Sequence, residues 1–351
     1  MKKTIAVIFG GCSPEYPVSL ESSYSVIKAI NQDKYNLILI GITKEGNWYR
    51  FNGSIEKIKD NTWYKEKSCH EVFISPSRKD HGLIEIIDST YKKIWLDAVF
   101  PILHGKNGED GTLQGLIELA GLPLIGCKTL SSSICMDKYI SHKLVEIEGV
   151  KTAKSILIDH STGEKELIKM LGSLKFPLFV KPCCAGSSFG INKVQKFDEL
   201  LPAITTAMKY DSKVIIEETI EGIEIGCAIL GTEKLTVGAL DEIEISTSLF
   251  DYNEKYTLKT SKIHVPARID ENIQNKIKST ALKIYSILKC QDFARVDLFL
   301  TKDNEIYFNE VNTIPGFTSH SRYPSMMKEA GLSFNELIAT LIELEVNNRE
   351  K

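Results

Sequence analysis

Short apolar runs alternate with amphipathic segments over the first third of the chain. The continuous apolar runs are Ile5 to Phe9, Leu37 to Ile42 and Ala98 to Leu103. Between the first two, Val18 to Ile30 places its apolar residues at helical spacing. Fully apolar short strands that alternate with helices are typical of a parallel sheet covered on both faces. The pattern therefore predicts an α/β fold that begins with an open parallel sheet, and it predicts that the polar stretch from Asn52 to Arg78 is an irregular excursion from that sheet.

Four helical signals follow further along the chain. Thr112 to Ala120 has one apolar face and ends at a Gly-Leu-Pro run. Ser131 to Ser133 are suited to cap a helix that continues to about Ile147. Asn272 to Leu288 again has a single apolar face, and Ser333 opens a capping box before the last helix.

Three interlocked domains are the predicted organisation of the 351 residues. About 100–200 residues per domain are usual, and neither a repeat nor a flexible linker divides the chain. We expect an N-terminal α/β domain over residues 1–125, a central subdomain over 126–218 and a C-terminal subdomain over 219–351. The overall class is therefore α/β with α+β character.

Composition and charge exclude several classes of protein. The net charge is −3, which is too balanced for a nucleic-acid or membrane-surface binder that relies on bulk attraction. The eight cysteines form no C-x-x-C pair, which argues against a zinc ribbon and against a secreted disulfide framework. The N-terminal apolar run is too short for a signal peptide, and no segment approaches the ~20 apolar residues of a membrane span. We expect reduced thiols and a cytoplasmic protein without nucleic-acid or membrane partners.

A predicted hairpin near the C-terminus carries a candidate metal site. Residues 293–300 and 306–312 both alternate like strands, and Asp303-Asn304 between them is a turn pair. With a two-residue loop, Asp297 faces Glu310 and Arg295 faces Asn312 on one face of the sheet. Two carboxylates and an amide, without thiol or imidazole, suit a hard cation such as Mg²⁺. The alternative is an exposed hairpin with its charged side chains in water.

Candidate phosphate-binding groups lie upstream of this hairpin. Lys181 follows an apolar strand, and the loop Gly186 to Gly190 behind it can offer free backbone N–H groups. Lys138 sits in the first turn of a predicted helix, where it opposes the helix dipole unless an anion holds it. An ordinary turn and an exposed lysine are the alternatives. The loop lacks the G-x-x-x-x-G-K-[ST] pattern, which excludes a P-loop nucleotide site.

A glycine-rich segment, His104 to Gly111, joins an apolar strand to the helix that begins at Thr112. Ligand sites in open α/β sheets lie at the carboxyl ends of strands, and closely spaced glycines permit close backbone approach. The alternative is a simple strand-to-helix connection capped by Asp110.

The combined motifs resemble the D-alanine–D-alanine ligase family, which includes D-alanine–D-serine and D-alanine–D-lactate ligases and has the ATP-grasp fold. The likeness covers nearly the whole chain, and it is closest to the D-alanine–D-serine ligases of vancomycin resistance. It is carried, in order, by Gly10-Gly11, Ser13-Pro-Glu15, His104-Gly105, Gly108 to Gly115, Met136-Asp-Lys138, Val180-Lys-Pro182, Gly186-Ser-Ser188, Asp251-Tyr252, Lys255-Tyr256, Arg295-Val-Asp297, Asn309 to Asn312 and Pro315 to Ser321.

The resemblance implies a role for each matched position. Substrate contacts are implied for Glu15 at the amino group of the first D-alanine, for Ser187 and Tyr256 in its support, for His104, and for Ser321 at the second carboxylate. ATP contacts are implied for Lys138, Lys181, Ser188, Glu217, Thr219, Ile220, Glu224, Lys255 and Asn309. Two ions of Mg²⁺, or of Mn²⁺, are implied at Asp297, Glu310 and Asn312, and oxyanion stabilisation at Arg295 and the backbone of Gly316. A mobile lid over about residues 241–262 and a homodimer are further expectations of the family.

The sequence departs from the usual family pattern at two places. Arg322 stands where D-alanine–D-alanine ligases usually carry leucine, and our hypothesis is that Arg322, Asp241 and Phe250 select D-serine as the second substrate. A rim salt bridge without a role in selection is the alternative. Cys184 stands where the family often has a basic residue, which alters loop closure or makes the loop sensitive to thiol reagents.

The predicted reaction is the ATP-dependent ligation of D-alanine to D-serine through an acyl phosphate, giving a peptidoglycan precursor dipeptide linked to vancomycin resistance. An ordinary D-alanine–D-alanine ligase is the alternative within the family. A non-catalytic binding protein and an unrelated carboxylate–amine ligase of the same fold are the other readings, against which the magnesium residues and the matches at Glu15 and Ser321 argue.

Overall fold

A computed structural model of the protein describes residues 2–245 and 261–347. Its N-terminal sheet has seven strands in the order β6-β5-β4-β3-β2-β1-β7, where the strands are β1 (Lys3–Gly10), β2 (Tyr35–Ile42), β3 (Trp48–Phe51), β4 (His70–Ile74), β5 (Gly82–Ile87), β6 (Thr90–Trp95) and β7 (Ala98–Ile102).

The predicted parallel arrangement is correct only for one end of this sheet. β1 pairs in parallel with β2 and with β7, whereas β3 to β6 continue the sheet in antiparallel order. The prediction of an irregular excursion over 52–78 is wrong at its end, because β4 lies there. In β4, Val72 and Ile74 are buried while Glu71 and Phe73 are exposed, so this strand buries only one face.

Two further sheets carry the rest of the chain. A four-stranded antiparallel sheet has the order β11-β10-β12-β9, with β9 (Ser155–Asp159), β10 (Leu178–Pro182), β11 (Asn192–Val194) and β12 (Lys213–Glu218). A six-stranded sheet has the order β15-β14-β13-β16-β17-β8, with β8 (Lys151–Thr152), β13 (Gly222–Leu230), β14 (Thr236–Ile245), β15 (Ser261–His264), β16 (Phe293–Thr301) and β17 (Ile306–Asn312). The sheets follow the three predicted segments apart from β8, and the exact domain boundaries stay a prediction.

The helices of the described residues are α1 (Tyr16–Ala29), α2 (Glu56–Lys59), α3 (Thr112–Leu119), α4 (Thr129–Met136), α5 (Lys138–Ile147), α6 (Glu164–Leu171), α7 (Leu200–Ala207), α8 (Glu271–Ile287), α9 (Arg322–Glu329) and α10 (Phe334–Val346). Short 3₁₀ turns lie at Trp63–Lys65 and Phe197–Glu199. The predicted capping box of α10 is present. No helix in the described ranges is long and apolar enough to cross a membrane.

The helix predicted from Ser131 to Ile147 is in fact two helices. The break falls at Asp137, whose Oδ1 accepts a hydrogen bond from the backbone N–H of Ile140 at 2.9 Å. Asp137 is therefore the N-cap of α5, while the three serines lie inside α4. This break places Lys138 at the first position of α5, as the sequence predicted.

An aromatic cluster fixes the N-terminal sheet against the C-terminal one. The ring of Phe293 on β16 lies 6.2 Å from that of Phe100 on β7, 5.3 Å from that of Phe317 and 5.9 Å from that of Tyr323 on α9. All four side chains are fully buried. The cluster holds the end of β7 close to the segment that leads into α9, and residues from both line the site described below.

Candidate active site

The hairpin of β16 and β17 pairs the predicted metal residues. Asp297 lies opposite Glu310 and Arg295 lies opposite Asn312, as predicted. The predicted two-residue turn is wrong, because the backbone N–H of Thr301 bonds to the carbonyl of Glu305 at 3.0 Å and a three-residue loop results. A register shift directly after Asp297 takes up the extra loop residue and restores the pairing.

Asp297 is the most densely contacted carboxylate of this hairpin. Its oxygens accept hydrogen bonds from Arg295 Nε at 2.8 Å, from Arg295 Nη2 at 2.7 Å and from Asn312 Nδ2 at 2.9 Å. Arg322 Nη2 lies 3.3 Å from Asp297 Oδ1. The donor set of Asp297, Glu310 and Asn312 consists of hard oxygen ligands from adjacent strands, and it fits a Mg²⁺ or Mn²⁺ ion.

Two buried lysines, Lys138 and Lys181, lie in the same cleft as Glu310. Lys138 Nζ lies 3.4 Å from Glu310 Oε2 and donates to the carbonyl of Ala185 at 2.8 Å. Burial lowers the pKa of Lys138, but Glu310, Cys183 and Cys184 together outweigh it, so the pKa of the lysine lies above its ordinary value. Lys181, at the end of β10, forms a buried ion pair with Glu217 of β12.

A cavity of about 500 Å³ is lined by both lysines, by Glu217 and by Glu310. Eight of the nine residues expected to contact ATP line it, namely Lys138, Lys181, Ser188, Glu217, Thr219, Ile220, Glu224 and Asn309. The ninth, Lys255, lies outside the described residues. The volume of the cavity is in the range of cofactor pockets. Positions far apart in the sequence are thus brought to one cleft between the four-stranded and six-stranded sheets.

His142 also lines the cavity, and sequence reasoning missed it. It lies one helical turn after Lys138, on the same face of α5, which was the available signal. Its Nε2 lies 2.7 Å from the carbonyl oxygen of Asn309, and burial lowers the pKa of the ring. A neutral imidazole at this position ties α5 to the bulged strand β17.

A second cluster surrounds Glu15, directly before α1. Ser187 of the glycine-rich loop donates a hydrogen bond to the Glu15 carboxylate, as the family pattern predicts. A Cβ atom on Gly105 or on Gly186 would lie only 2.5 or 2.6 Å from Glu15 Oε2. Both loops therefore approach the carboxylate with backbone alone, which explains the need for glycine at both positions.

His104 stands beside this cluster as a neutral side chain. Its Nδ1 lies 3.0 Å from the carbonyl oxygen of Ile314, and burial lowers the pKa of the ring to about 4. Within the described part of the chain, its Nε2 has no hydrogen-bond partner. A buried nitrogen of this kind is suited to contact a substrate.

Glu109 is a second residue that sequence reasoning missed, although its motif was noticed. Its carboxylate accepts hydrogen bonds from the backbone N–H of Gly105 at 2.7 Å and of Ile314 at 3.3 Å. Burial, together with the charge of Glu15, raises the pKa of Glu109 to about 8. It braces the His104 loop against the segment after β17.

The raised pKa of Glu109 makes stability depend on pH. In the folded protein Glu109 keeps a proton that the unfolded chain releases above the ordinary pKa of 4.5. The free energy of unfolding therefore falls as pH rises from about 4.5 to about 8. We expect Glu109→Gln to flatten the fall in melting temperature over that window, whereas Glu71→Gln, at an exposed carboxylate, leaves it unchanged. Equal pH slopes for wild type and Glu109→Gln would contradict this assignment.

The residues predicted for the second substrate meet at the start of α9. Arg322 donates to the buried carboxylate of Asp241 through Nε at 2.7 Å and Nη2 at 2.8 Å, and its Nη1 lies 3.1 Å from Glu224 Oε1. Gly226, beside this pair, has no room for a side chain, since a Cβ atom would lie 2.5 Å from Arg322 Nη2. Arg322 is thus held by carboxylates from β13 and β14.

Ser321 and Gly316 form the adjacent turn. The Ser321 hydroxyl accepts a hydrogen bond from the backbone N–H of Thr318 at 3.0 Å, and it would lie 3.1 Å from a Cβ atom on Gly316. The backbone of Gly316 and the Ser321 hydroxyl are therefore close neighbours, as expected for two groups that face one substrate.

Part of the predicted site cannot be located. Phe250, Lys255 and Tyr256 lie outside the described residues. The lid predicted from about Asp241 starts inside a strand, because residues up to Ile245 complete β14 and pair with β15.

Comparison with known proteins agrees with this geometry. Residues 4–127 match the model of the D-ala D-ala ligase N-terminus, and residues 144–343 match that of the D-ala D-ala ligase C-terminus. The vancomycin C-type resistance protein VanC1 of Enterococcus gallinarum is 44% identical over 97% of this chain and 98% of its own length. A D-alanine–D-alanine ligase of Caldicellulosiruptor bescii is 42% identical over 100% of this chain and 97% of its own length.

A solved structure extends the likeness to three dimensions. The crystal structure of the VanG D-Ala:D-Ser ligase from Enterococcus faecalis superposes with a TM-score of 0.92 at 53% identity, over 98% of this chain and 100% of that one. The fold is therefore the ATP-grasp fold of these enzymes. With both family models matched and relatives aligned over nearly its full length, this chain belongs to the D-alanine–D-alanine ligase family.

Proposed function

We propose that this ligase joins D-alanine to D-serine with hydrolysis of ATP to ADP and phosphate. The observation that carries the choice of D-serine is the buried pair of Arg322 and Asp241, which places charged donors and acceptors where an apolar residue is usual in D-alanine–D-alanine ligases. The VanG neighbour is named a D-Ala:D-Ser ligase, which supports the same choice.

The first half-reaction is the phosphorylation of D-alanine. The Glu15 carboxylate, held by Ser187, accepts the ammonium group of that substrate. Lys138 and Lys181 lie within the cavity and counter the charge of the ATP phosphates. Asp297, Glu310 and Asn312 would hold magnesium, which when bound neutralises charge on the transferred phosphoryl group.

The second half-reaction is attack of an amine on the acyl phosphate. The amine of the second substrate adds to the carbonyl carbon, and phosphate leaves with its bonding electrons. Arg295 and the backbone N–H of Gly316 stabilise the charge on the carbonyl oxygen. Ser321 binds the carboxylate of the incoming amino acid at the N-terminus of α9.

Around Arg322, the D-serine hydroxyl meets both hydrogen-bond donors and hydrogen-bond acceptors. Guanidinium N–H groups donate to its oxygen, while the oxygens of Asp241 or Glu224 accept its proton. D-alanine has no hydroxyl to meet these polar groups, which then bond only to one another, and such a mismatch disfavours the analogue more strongly than an apolar pocket disfavours an added hydroxyl. The proposed product is a dipeptide precursor of peptidoglycan that ends in D-serine, as vancomycin resistance of this kind requires.

The product test uses equal concentrations of D-alanine and D-serine with Mg-ATP and mass spectrometry of the dipeptides. D-alanyl-D-serine should predominate in the wild type, whereas predominant D-alanyl-D-alanine would favour the ordinary ligase named among its relatives. Arg322→Leu should shift the ratio of kcat/KM towards D-alanine by at least about tenfold, because it removes the donors that D-serine needs.

A lone buried Asp241 would destabilise that variant, so Arg322→Leu is paired with the double variant Arg322→Leu/Asp241→Asn, which removes the charge of Asp241 together with that of its partner. Lys328→Leu, at an exposed position on the same helix, is the control and should keep the wild-type ratio. An unchanged ratio in the folded double variant would refute the selector role of Arg322.

A further inference from the structure

Asp137, Cys183 and Cys184 form a compact cluster beside the phosphate-binding lysines. The thiol of Cys183 donates to Asp137 Oδ1 at 3.1 Å. One carboxylate oxygen and both sulfur atoms lie within 4.8 Å of one another. Cys183 is buried and Cys184 is exposed, so the cluster is anchored on one side and open to water on the other.

We propose that Asp137, Cys183 and Cys184 form a binding site for one thiophilic divalent ion, such as Zn²⁺ or Cd²⁺, and that its occupation inhibits the ligase. Two thiolates and one carboxylate are a donor set that borderline and soft ions prefer, and Mg²⁺ does not compete for it. In a tetrahedral site with Zn–S bonds of ~2.3 Å, the two sulfurs lie about 3.8 Å apart. The three donor atoms already lie within 4.8 Å of one another, and water on the side of Cys184 would supply the fourth ligand.

The charges around the cluster favour its metal-bound state. Each thiol transfers its proton to water on binding, so two protons leave as one ion enters, and affinity rises with pH. Two thiolates, one carboxylate and a divalent ion leave a net charge of about −1. That charge lies at the N-terminus of α5, where the helix dipole favours an anion, and next to the ammonium group of Lys138.

An ion at this cluster would tie α5 to the glycine-rich loop. The backbone N–H of Lys138 already bonds to the carbonyl of Cys183 at 3.2 Å, and its Nζ bonds to Ala185 at 2.8 Å. The same loop carries Ser187, which holds the Glu15 carboxylate. To reach a phosphate, Lys138 Nζ has to give up its hydrogen bond to Ala185. An ion that fixes Cys183 and Cys184 hinders this exchange, so it lowers turnover from outside the magnesium site.

The test is titration of the full-length protein with Cd²⁺ in excess Mg²⁺, followed by ultraviolet absorption of the cadmium–thiolate bond. We expect one equivalent to bind the wild type, and Cys184→Ser to weaken that binding by at least about tenfold. Cys183→Ser/Cys184→Ser should abolish the absorption. Cys12→Ser removes the other exposed thiol and should leave it unchanged, which separates the site from adventitious thiol binding.

Activity provides the second readout. Cd²⁺ should inhibit the wild type, a dithiol chelator should reverse the inhibition, and Cys184→Ser should resist it. Unchanged cadmium absorption in the Cys184→Ser and double variants overturns the site, and full activity of the cadmium-loaded wild type overturns the inhibition. Because the absorption needs no turnover, its failure is distinct from failure of the D-serine assignment.

Discussion

Replacement of Asp297 by asparagine is expected to lower kcat by roughly 10³-fold, equivalent to about 4 kcal/mol of transition-state stabilisation. The change keeps the shape of the side chain and removes one negative charge from the proposed metal ligands. Asp297 also accepts from two N–H groups of Arg295 and from Asn312, so asparagine misdirects both the proposed oxyanion-stabilising residue and a proposed metal ligand. Steady-state kinetics over a range of Mg²⁺ concentrations measures the loss.

Asp303→Asn is the matched control, since it makes the same chemical change at an exposed position in the loop of the same hairpin. It should retain wild-type kinetics. Thermal unfolding of Asp297→Asn must show a folded protein, because Arg295 and Arg322 lose part of their compensation. A folded Asp297→Asn protein with near wild-type kcat and unchanged Mg²⁺ dependence would exclude Asp297 as a metal ligand.

The pairing of that hairpin was predictable even though its loop was not. Asp303-Asn304 is a common two-residue turn, but the chain uses a three-residue loop and a register shift after Asp297. Phe308 and Val311 are both buried although they are three residues apart, a spacing that a regular strand cannot give. That spacing was the sequence signal for a bulge. Burial of these apolar residues sets the register, so the functional pair survives the change of loop.

The roles of Glu109 and His142 depend on distant contacts, which spacing along the sequence does not show. Glu109 owes its pKa to burial beside Glu15 and contacts Ile314, and His142 contacts Asn309. Only the folded chain brings these partners together. Local patterns likewise missed the antiparallel half of the N-terminal sheet, because one-sided strands with exposed polar residues resemble loops when they are read alone.

Lys181→Gln is expected to lower kcat/KM for ATP by roughly 10²-fold, mainly through a higher KM. Lys181 is buried at the end of β10 and points into the cavity that also holds Lys138. Without its charge, the phosphates lose one of the lysines that are expected to contact them. Titration with ATP at saturating D-amino acids separates the rise in KM from any fall in kcat.

The partner of Lys181 complicates this variant and also makes it informative. Glu217 Oε1 forms the ion pair with Lys181, whereas Glu217 Oε2 is buried and has no hydrogen-bond partner among the described residues. Lys181→Gln leaves this carboxylate buried without a counter-charge, which costs about 3–5 kcal/mol of folding stability. Lys181→Gln/Glu217→Gln removes both charges and should recover most of that stability. ATP affinity should stay low in the double variant, because the lost stability stems from Glu217 and the lost affinity from the missing ammonium group.

Lys213→Gln tests the same substitution at the exposed start of the neighbouring strand and should keep both stability and ATP affinity. If the double variant regained wild-type KM for ATP along with its stability, the effect of Lys181→Gln would be structural. Lys181 would then serve the fold through its ion pair with Glu217. Lys138, which lies close to Glu310, would be the described lysine left to counter the charge of the phosphates. Low affinity in a stable double variant, if it is lower than in Glu217→Gln alone, instead assigns Lys181 to the nucleotide, because Glu217 is itself expected to contact ATP.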